Sequence, residues 1–285
     1  MIFEMINSKE ISITKARSIL DVSRSGYYSK ITNGNLVETD CHVRKTIEKI
    51  SLDFPRYGYR RITKEMHRTG QKTNHKKVLR IMQEEGLLCK PKKKFRITTT
   101  DSDHNYRIYP NLAKNIELTA VNQLWVADIT YVRMLHESVY LAVILDVFSR
   151  KCIGWCLSRN IDTQLTINAL NMAVAKRNCD DFSEIIHHSD RGVQYASDDY
   201  IDLLNELGIK ISMSRKGNPY DNAFAESFMK TLKTEEVYLK EYRTFDEAHN
   251  NIKKFIEVVY NKKRLHSGIG YMSPEEYETE SLKTT

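Results

Sequence analysis

The run LWVADITYV at 124–132 sets a carboxylate among apolar side chains, and few folds can accept that combination. Strand alternation puts Leu124, Val126, Thr130 and Val132 on the face of Asp128, and Trp125, Ala127, Ile129 and Tyr131 on the other. Both faces are therefore expected to be buried, as in a central strand covered on two sides. An aspartate there must stay protonated, be held by serine hydroxyls or backbone amides, or meet a cation. Asp128 alone does not choose among these.

Two further acids stand where chains turn. Asp190 ends the strand-like EIIHHSD just before Arg191 and Gly192, and strand ends in α/β folds commonly hold ligands; a simple turn residue would look the same. Glu226 follows the helix start GNPYDNAFAES, in which Gly217 breaks the preceding strand and Pro219 suits a first helical turn. Phe224, Phe228 and Leu232 then form the expected buried stripe, while Glu226 shares another face with Asn222, Lys230 and Lys233. Carboxylate and lysines one and two turns apart suit a surface for metal and phosphate, and equally an ordinary helical ion pair.

The whole chain limits the partners. At 285 residues it has room for two domains, and its pI near 9.0 with a net charge of +7 favours an anionic partner. From Cys41 to Arg107 eighteen Lys and Arg face seven Asp and Glu, a local excess of +11 that leaves the remainder at −4. The five cysteines show no C-x-x-C spacing, which points to reduced thiols; Cys152 and Cys156 are expected to share one strand face as packing residues. No apolar stretch of membrane-spanning length and no signal peptide is evident, so a soluble, cytoplasmic, nucleoid-associated protein is expected.

Five segments are expected. Residues 1–40 hold a small helix-turn-helix-like pair within 11–30. Residues 41–95 form a basic helical region with helices near 42–53, 59–68 and 75–85, capped by Asn74 and ended by Gly70 and Gly86. Its last helix sets an apolar stripe of Val78, Leu79, Met82 and Leu87 against His75, Lys76, Lys77 and Arg80. Arg60 and Arg61, flanked by Tyr57 and Tyr59, add to a surface that reads as a DNA contact. Residues 96–119 form a linker, and Lys92, Lys93 and Lys94 just before it are placed to track phosphates. Residues 120–238 run strand, strand, strand, helix, strand, helix, strand, helix, which predicts a mixed five-stranded α/β sheet with packed helices. Residues 239–285 form a helical extension whose Lys262, Lys263, Arg264 and His266 either grip DNA or cap a packing appendage.

The stretches LWVADITYV, VILDVFSRKCIGW, HHSDRGVQY, ISMSRKGNPYDNAFAESFMKTLK and YNKKRLHSGIGYMSPEEY resemble, in order and spacing from Asn122 to Tyr277, the DDE transposases of bacterial insertion sequences, in particular the IS-three family. Retroviral integrases are a more distant likeness, and their zinc-binding module has no counterpart here. The resemblance implies a ribonuclease-H-like fold, metal-binding and catalytic roles for Asp128, Asp190 and Glu226, and contact of Lys233 with the DNA end. It implies cleavage and strand transfer at insertion-sequence ends with two Mg²⁺ ions, replaceable by Mn²⁺. It further implies terminal-repeat and target DNA as partners, a homo-oligomer on DNA, and an upstream-frame helix-turn-helix and leucine-zipper segment supplied separately or by fusion. A ribonuclease-H-type nuclease without joining activity and a non-catalytic DNA-binding regulator are the alternatives.

Overall fold

The computed structural model describes residues 41–89, 106–215 and 222–284. The expected helix pair within 11–30, Lys92 to Lys94, residues 96–105 of the linker, and Gly217 and Pro219 lie outside them. The chain divides into two compact units, Met1–Lys90 and Pro91–Thr285.

In the first unit α1 covers 41–53, α2 is Tyr59–Arg68 and α3 is His75–Glu84. Val43, Ile47 and Ile50 recur on one face of α1 and are buried with Ile62 and Met66 of α2 and Val78, Ile81 and Met82 of α3. Asn74 caps α3 by accepting from the Lys76 amide at 2.8 Å. Gly86, at φ +65°, closes it in a conformation costly for other residues. The expected stripe shifts: Ile81 is fully buried, whereas Leu79 and Leu87 stay half-exposed, because Ile81 and Met82 flank Val78 closely on the helix surface while Leu79 lies about 100° away from it. Tyr57 is also core, stacked on Phe54 with ring centroids 4.4 Å apart, so its ring does not belong to the basic surface.

The second unit is built on five strands, β1 Leu124–Arg133, β2 Ser138–Asp146, β3 Cys152–Ser158, β4 Ile186–Ser189 and β5 Lys210–Met213. Their order is β3-β2-β1-β4-β5. β2 runs antiparallel to both neighbours, while β4 pairs parallel with β1 and β5. This is the ribonuclease-H-like mixed sheet. The helices are α4 Thr163–Arg177, α5 Val193–Ala196, α6 Asp198–Glu206, α7 Ala223–Glu235, α8 Phe245–Lys254 and α9 Pro274–Thr284; a π-helical stretch, Phe255–Lys263, extends α8.

Helices cover both sheet faces, which is why β1 is apolar on both faces around Asp128. Leu124, Val126 and Val132 meet Ala225, Phe228, Met229 and Leu232 of α7, with Ile252, Phe255 and Tyr260 behind them. Trp125, Ala127 and Ile129 pack in the other layer with Leu165, Ala169 and Ala173 of α4 and Tyr200 and Leu204 of α6. Residues 242–260 therefore share the core of the sheet. The α7 stripe uses Ala225 and Met229 with Phe228 and Leu232; Phe224, 37% exposed, lies outside it under the Arg150 guanidinium, 4.0 Å from its centroid.

A β-bulge overturns one expectation. Leu145 pairs with Cys152 and Ile144 with Gly154, leaving Ile153 as an extra residue. Cys152 therefore packs on the α7 side and Cys156 on the α4 side, so the two cysteines do not share a face. Gly154 lets α4 ride directly on β3, since a Cβ there would lie 2.2 Å from the Ala169 carbonyl oxygen. Gly154→Ala is expected to cost about 3 kcal/mol, because backbone must move to admit the methyl. A denaturant midpoint equal to that of the parent protein would show that α4 yields freely.

Candidate active site

β1 carries Asp128 toward the α7 layer, on the face shared with Leu124, Val126 and Val132. The carboxylate is half-buried, and its Oδ1 accepts from the Ile129 amide at 2.9 Å. Because β4 lies parallel to β1, its C-terminal end brings Asp190 alongside. Asp190 also performs the turn role that its context suggested, with Oδ1 accepting from the Gly192 amide at 2.9 Å as the chain enters α5. Glu226 projects from the first turn of α7 and is exposed.

Asp190 and Glu226 both act electrostatically on Asp128. Burial, followed by the repulsion of Asp190 and, more weakly, Glu226, pushes the Asp128 carboxyl up to about 8; the Ile129 amide and Lys233 oppose that rise. Lys233 is half-buried, and burial lowers its pKa against the pull of Asp128. Its ammonium lies 4.1 Å from the Tyr131 ring centroid. Lys230 is exposed one turn beyond Glu226.

The donor chemistry fits a hard divalent cation. The acids offer only oxygen, and a bound cation would favour the charged form of Asp128 that burial and its neighbours oppose. Among the described residues, no group of three or more Asp, Glu, His or Cys side chains stands close enough together to hold a metal ion, so Asp128, Asp190 and Glu226 do not form a ready-made three-ligand site. The adjacent histidines are committed elsewhere. His187 Nε2 pairs with the Tyr200 hydroxyl at 2.9 Å, and burial holds this imidazole down to about 3. His188 Nδ1 pairs with Ser212 Oγ at 2.8 Å.

Sequence reasoning gave no role to Tyr195, and it placed Asn222 on the Glu226 face without finding its partner. Tyr195 is buried, its hydroxyl has no hydrogen-bond partner among the described residues, and Asp128 and Asp190 both help raise its pKa. Asn222, the residue preceding α7, donates from Nδ2 to the Ala127 carbonyl oxygen at 3.0 Å. Neither residue type at those positions signals more than packing or a helix start.

The expected basic contacts fall into three groups. In the first unit Arg60 is exposed beside the Tyr59 hydroxyl at 3.1 Å, and Arg61 lies over the Tyr57 ring. Lys76 is exposed, Lys77 is half-buried, and Arg80 is exposed but 3.7 Å from Glu84. In the second unit, Lys262 and Lys263 are exposed. Arg264 is not available to DNA: it is buried, with its Nε and Nη2 donating to Glu235 at 2.8 and 2.7 Å.

Comparison with known proteins identifies the family. Two Integrase core domain models match residues 119–219 and 207–274, and an HTH-like domain model matches 38–95. The transposase for insertion sequence element IS904 of Lactococcus lactis is 42% identical, over 81% of this chain and 92% of its own. Transposase InsF for insertion sequence IS3A of Escherichia coli is 34% identical over 96% of both chains. Among solved structures, the simian T-cell lymphotropic virus intasome aligns at 15% identity over 81% of this chain and 74% of that one, with a TM-score of 0.48. The catalytic core domain of BIV integrase aligns at 20% identity over 57% of this chain and 97% of that one, with a TM-score of 0.41. With relatives so similar along nearly its whole length and an integrase core in the second unit, the chain belongs to the IS-three family of insertion-sequence transposases.

Proposed function

We propose that the protein cuts DNA at the ends of its own insertion sequence and joins those ends to target DNA, with Asp128, Asp190 and Glu226 as the acids that hold the catalytic divalent ions. The observation that carries this reading is the placement of Asp128 on β1, Asp190 just past the end of the parallel neighbour β4 and Glu226 in the first turn of α7, with Asp190 and Glu226 both near enough to raise the Asp128 carboxyl. Mg²⁺, or Mn²⁺ in its place, would supply charge neutralisation at the attacking and leaving oxygens, and two ions suit that role. Asp128 would contribute an oxygen from a central strand and Glu226 one from the exposed first turn of α7. Lys233, held over Tyr131, and the exposed Lys230 lie on the same helix as Glu226 and would meet the phosphodiester backbone. No side-chain nucleophile is required, since water serves for cleavage and a DNA 3′-hydroxyl for joining.

The basic first unit, with Arg60, Arg61, Lys76, Lys77 and Arg80, supplies further backbone contacts, and a homo-oligomer pairs two ends. The decisive assay offers terminal-repeat DNA with a free 3′-hydroxyl, target DNA and Mg²⁺ to the full chain, alone and fused to an upstream helix-turn-helix and leucine-zipper segment. Joined product is expected from at least one form. Cleavage without joining in both would support a nuclease, and binding without cleavage would support a regulator.

A further inference from the structure

The N-terminus of α7 is built against the usual rule. An asparagine preceding a helix normally turns its Oδ1 back to accept from one of the first free amides, a cap worth about 1 kcal/mol. Asn222 makes no such bond. Its side chain is buried, and its Nδ2 reaches across to the Ala127 carbonyl oxygen at 3.0 Å. Oδ1 is left buried without a donor among the described residues, a further cost of about 1–3 kcal/mol. The amide thus forgoes both local satisfactions to keep one long-range bond.

The position of that bond explains its use. Parallel pairing of β1 with β4 runs only through Leu124, Trp125 and Val126. At Ala127 the neighbouring strand no longer supplies donors, so the carbonyl there needs one from another element. Asn222 provides it, and in doing so fastens α7 to β1 one residue before Asp128. Glu226 lies four residues, or about one turn, further along α7. The bond therefore sets how far the exposed Glu226 stands from Asp128.

We propose that Asn222 is a positioning residue, a side-chain latch between α7 and β1 that holds Glu226 at metal-binding distance from Asp128. This rests on the three-acid reading of the site. Residues that orient ligands from behind commonly change metal affinity 10- to 100-fold when lost.

The test uses the full chain without DNA and follows Mn²⁺ binding through the electron paramagnetic resonance signal of free Mn²⁺. Asn222→Ser keeps a good helix cap but is too short to reach Ala127. It is expected to weaken Mn²⁺ binding about tenfold with little change in melting temperature. Asn222→Thr, the other short capping residue, replaces it if the serine variant fails to fold. Glu226→Gln is expected to weaken binding as well, and the Asn222→Ser/Glu226→Gln double variant no further than Glu226→Gln alone. Unchanged binding in the Asn222 variants beside weakened binding in Glu226→Gln overturns the latch and leaves the acid site standing. Additive losses in the double variant also overturn it, because Asn222 would then act other than through Glu226. Unchanged binding in Glu226→Gln overturns the three-acid site, and the latch with it.

Discussion

Asp128→Asn, Asp190→Asn and Glu226→Gln are each expected to lower Mg²⁺-dependent cleavage and joining by roughly a thousandfold or more, with the protein still folded. For Asp128 the loss of activity should come with a gain in metal-free stability. Burial and Asp190 lift this carboxyl to about 8 in the folded chain. In the unfolded chain it titrates near ~3.9. The folded state therefore binds a proton that the unfolded state releases between those values. The stability contributed by the protonated group is fully present below about pH 4 and is lost as pH rises toward 8. Asp128→Asn has no such loss and should melt higher than the parent at pH 8 without metal, by a margin on the order of a few kcal/mol. Mg²⁺ should narrow the difference by stabilising the parent selectively. Thermal melts from pH 4 to 8, with and without Mg²⁺, measure both effects. Full joining activity in a folded amide variant would remove that acid from the site. A less stable Asp128→Asn at pH 8 would contradict the electrostatic account.

Legibility in the sequence followed the range of the interaction. The alternation in β1 was readable because covered strands must be apolar on both faces, so the side taken by Asp128 followed from a period of two. The caps at Asn74 and Gly86 were equally local. What a third element decides was not readable. The bulge at Ile144 and Leu145 arises from pairing between two strands, and it reverses the face of Cys152 without any mark in CIGWC itself. Tyr57 looked like part of a basic surface because its neighbours are arginines, yet Phe54 three residues earlier draws it into the core. Asp128, Asp190 and Glu226 could be named from the sequence stretches, but their proximity depends on β4 lying beside β1 and on α7 packing against β1. Asn222 shows the limit most plainly, since its partner Ala127 is nearly a hundred residues away in the chain and offers only a backbone oxygen.

Arg264 gives the sharpest separation of a packing role from a DNA-binding one. The string YNKKRLH reads as a basic cluster, yet the Arg264 side chain is 5% exposed and that of Glu235 13%. Two parallel hydrogen bonds, at 2.8 and 2.7 Å, join the guanidinium to both oxygens of that carboxylate. The pair ties the end of the π-helical stretch Phe255–Lys263 to the last turn of α7, the helix that carries Glu226. Arg264→Met removes the cation and leaves a buried carboxylate without its counterion, which typically costs about 3–5 kcal/mol. Removing both charges in Arg264→Met/Glu235→Leu eliminates the orphan, so the double variant should recover most of that loss. Chemical denaturation of the three proteins measures the coupling. DNA binding by the folded fraction of Arg264→Met should keep the salt dependence of the parent, because no phosphate contact has been removed. A direct contact would instead reduce the log-log salt slope by about 0.9 and leave the denaturation midpoint in place. The physical reason to expect the first result is that the guanidinium would have to abandon a satisfied bidentate partner, and strand that partner in the core, before it could reach a phosphate.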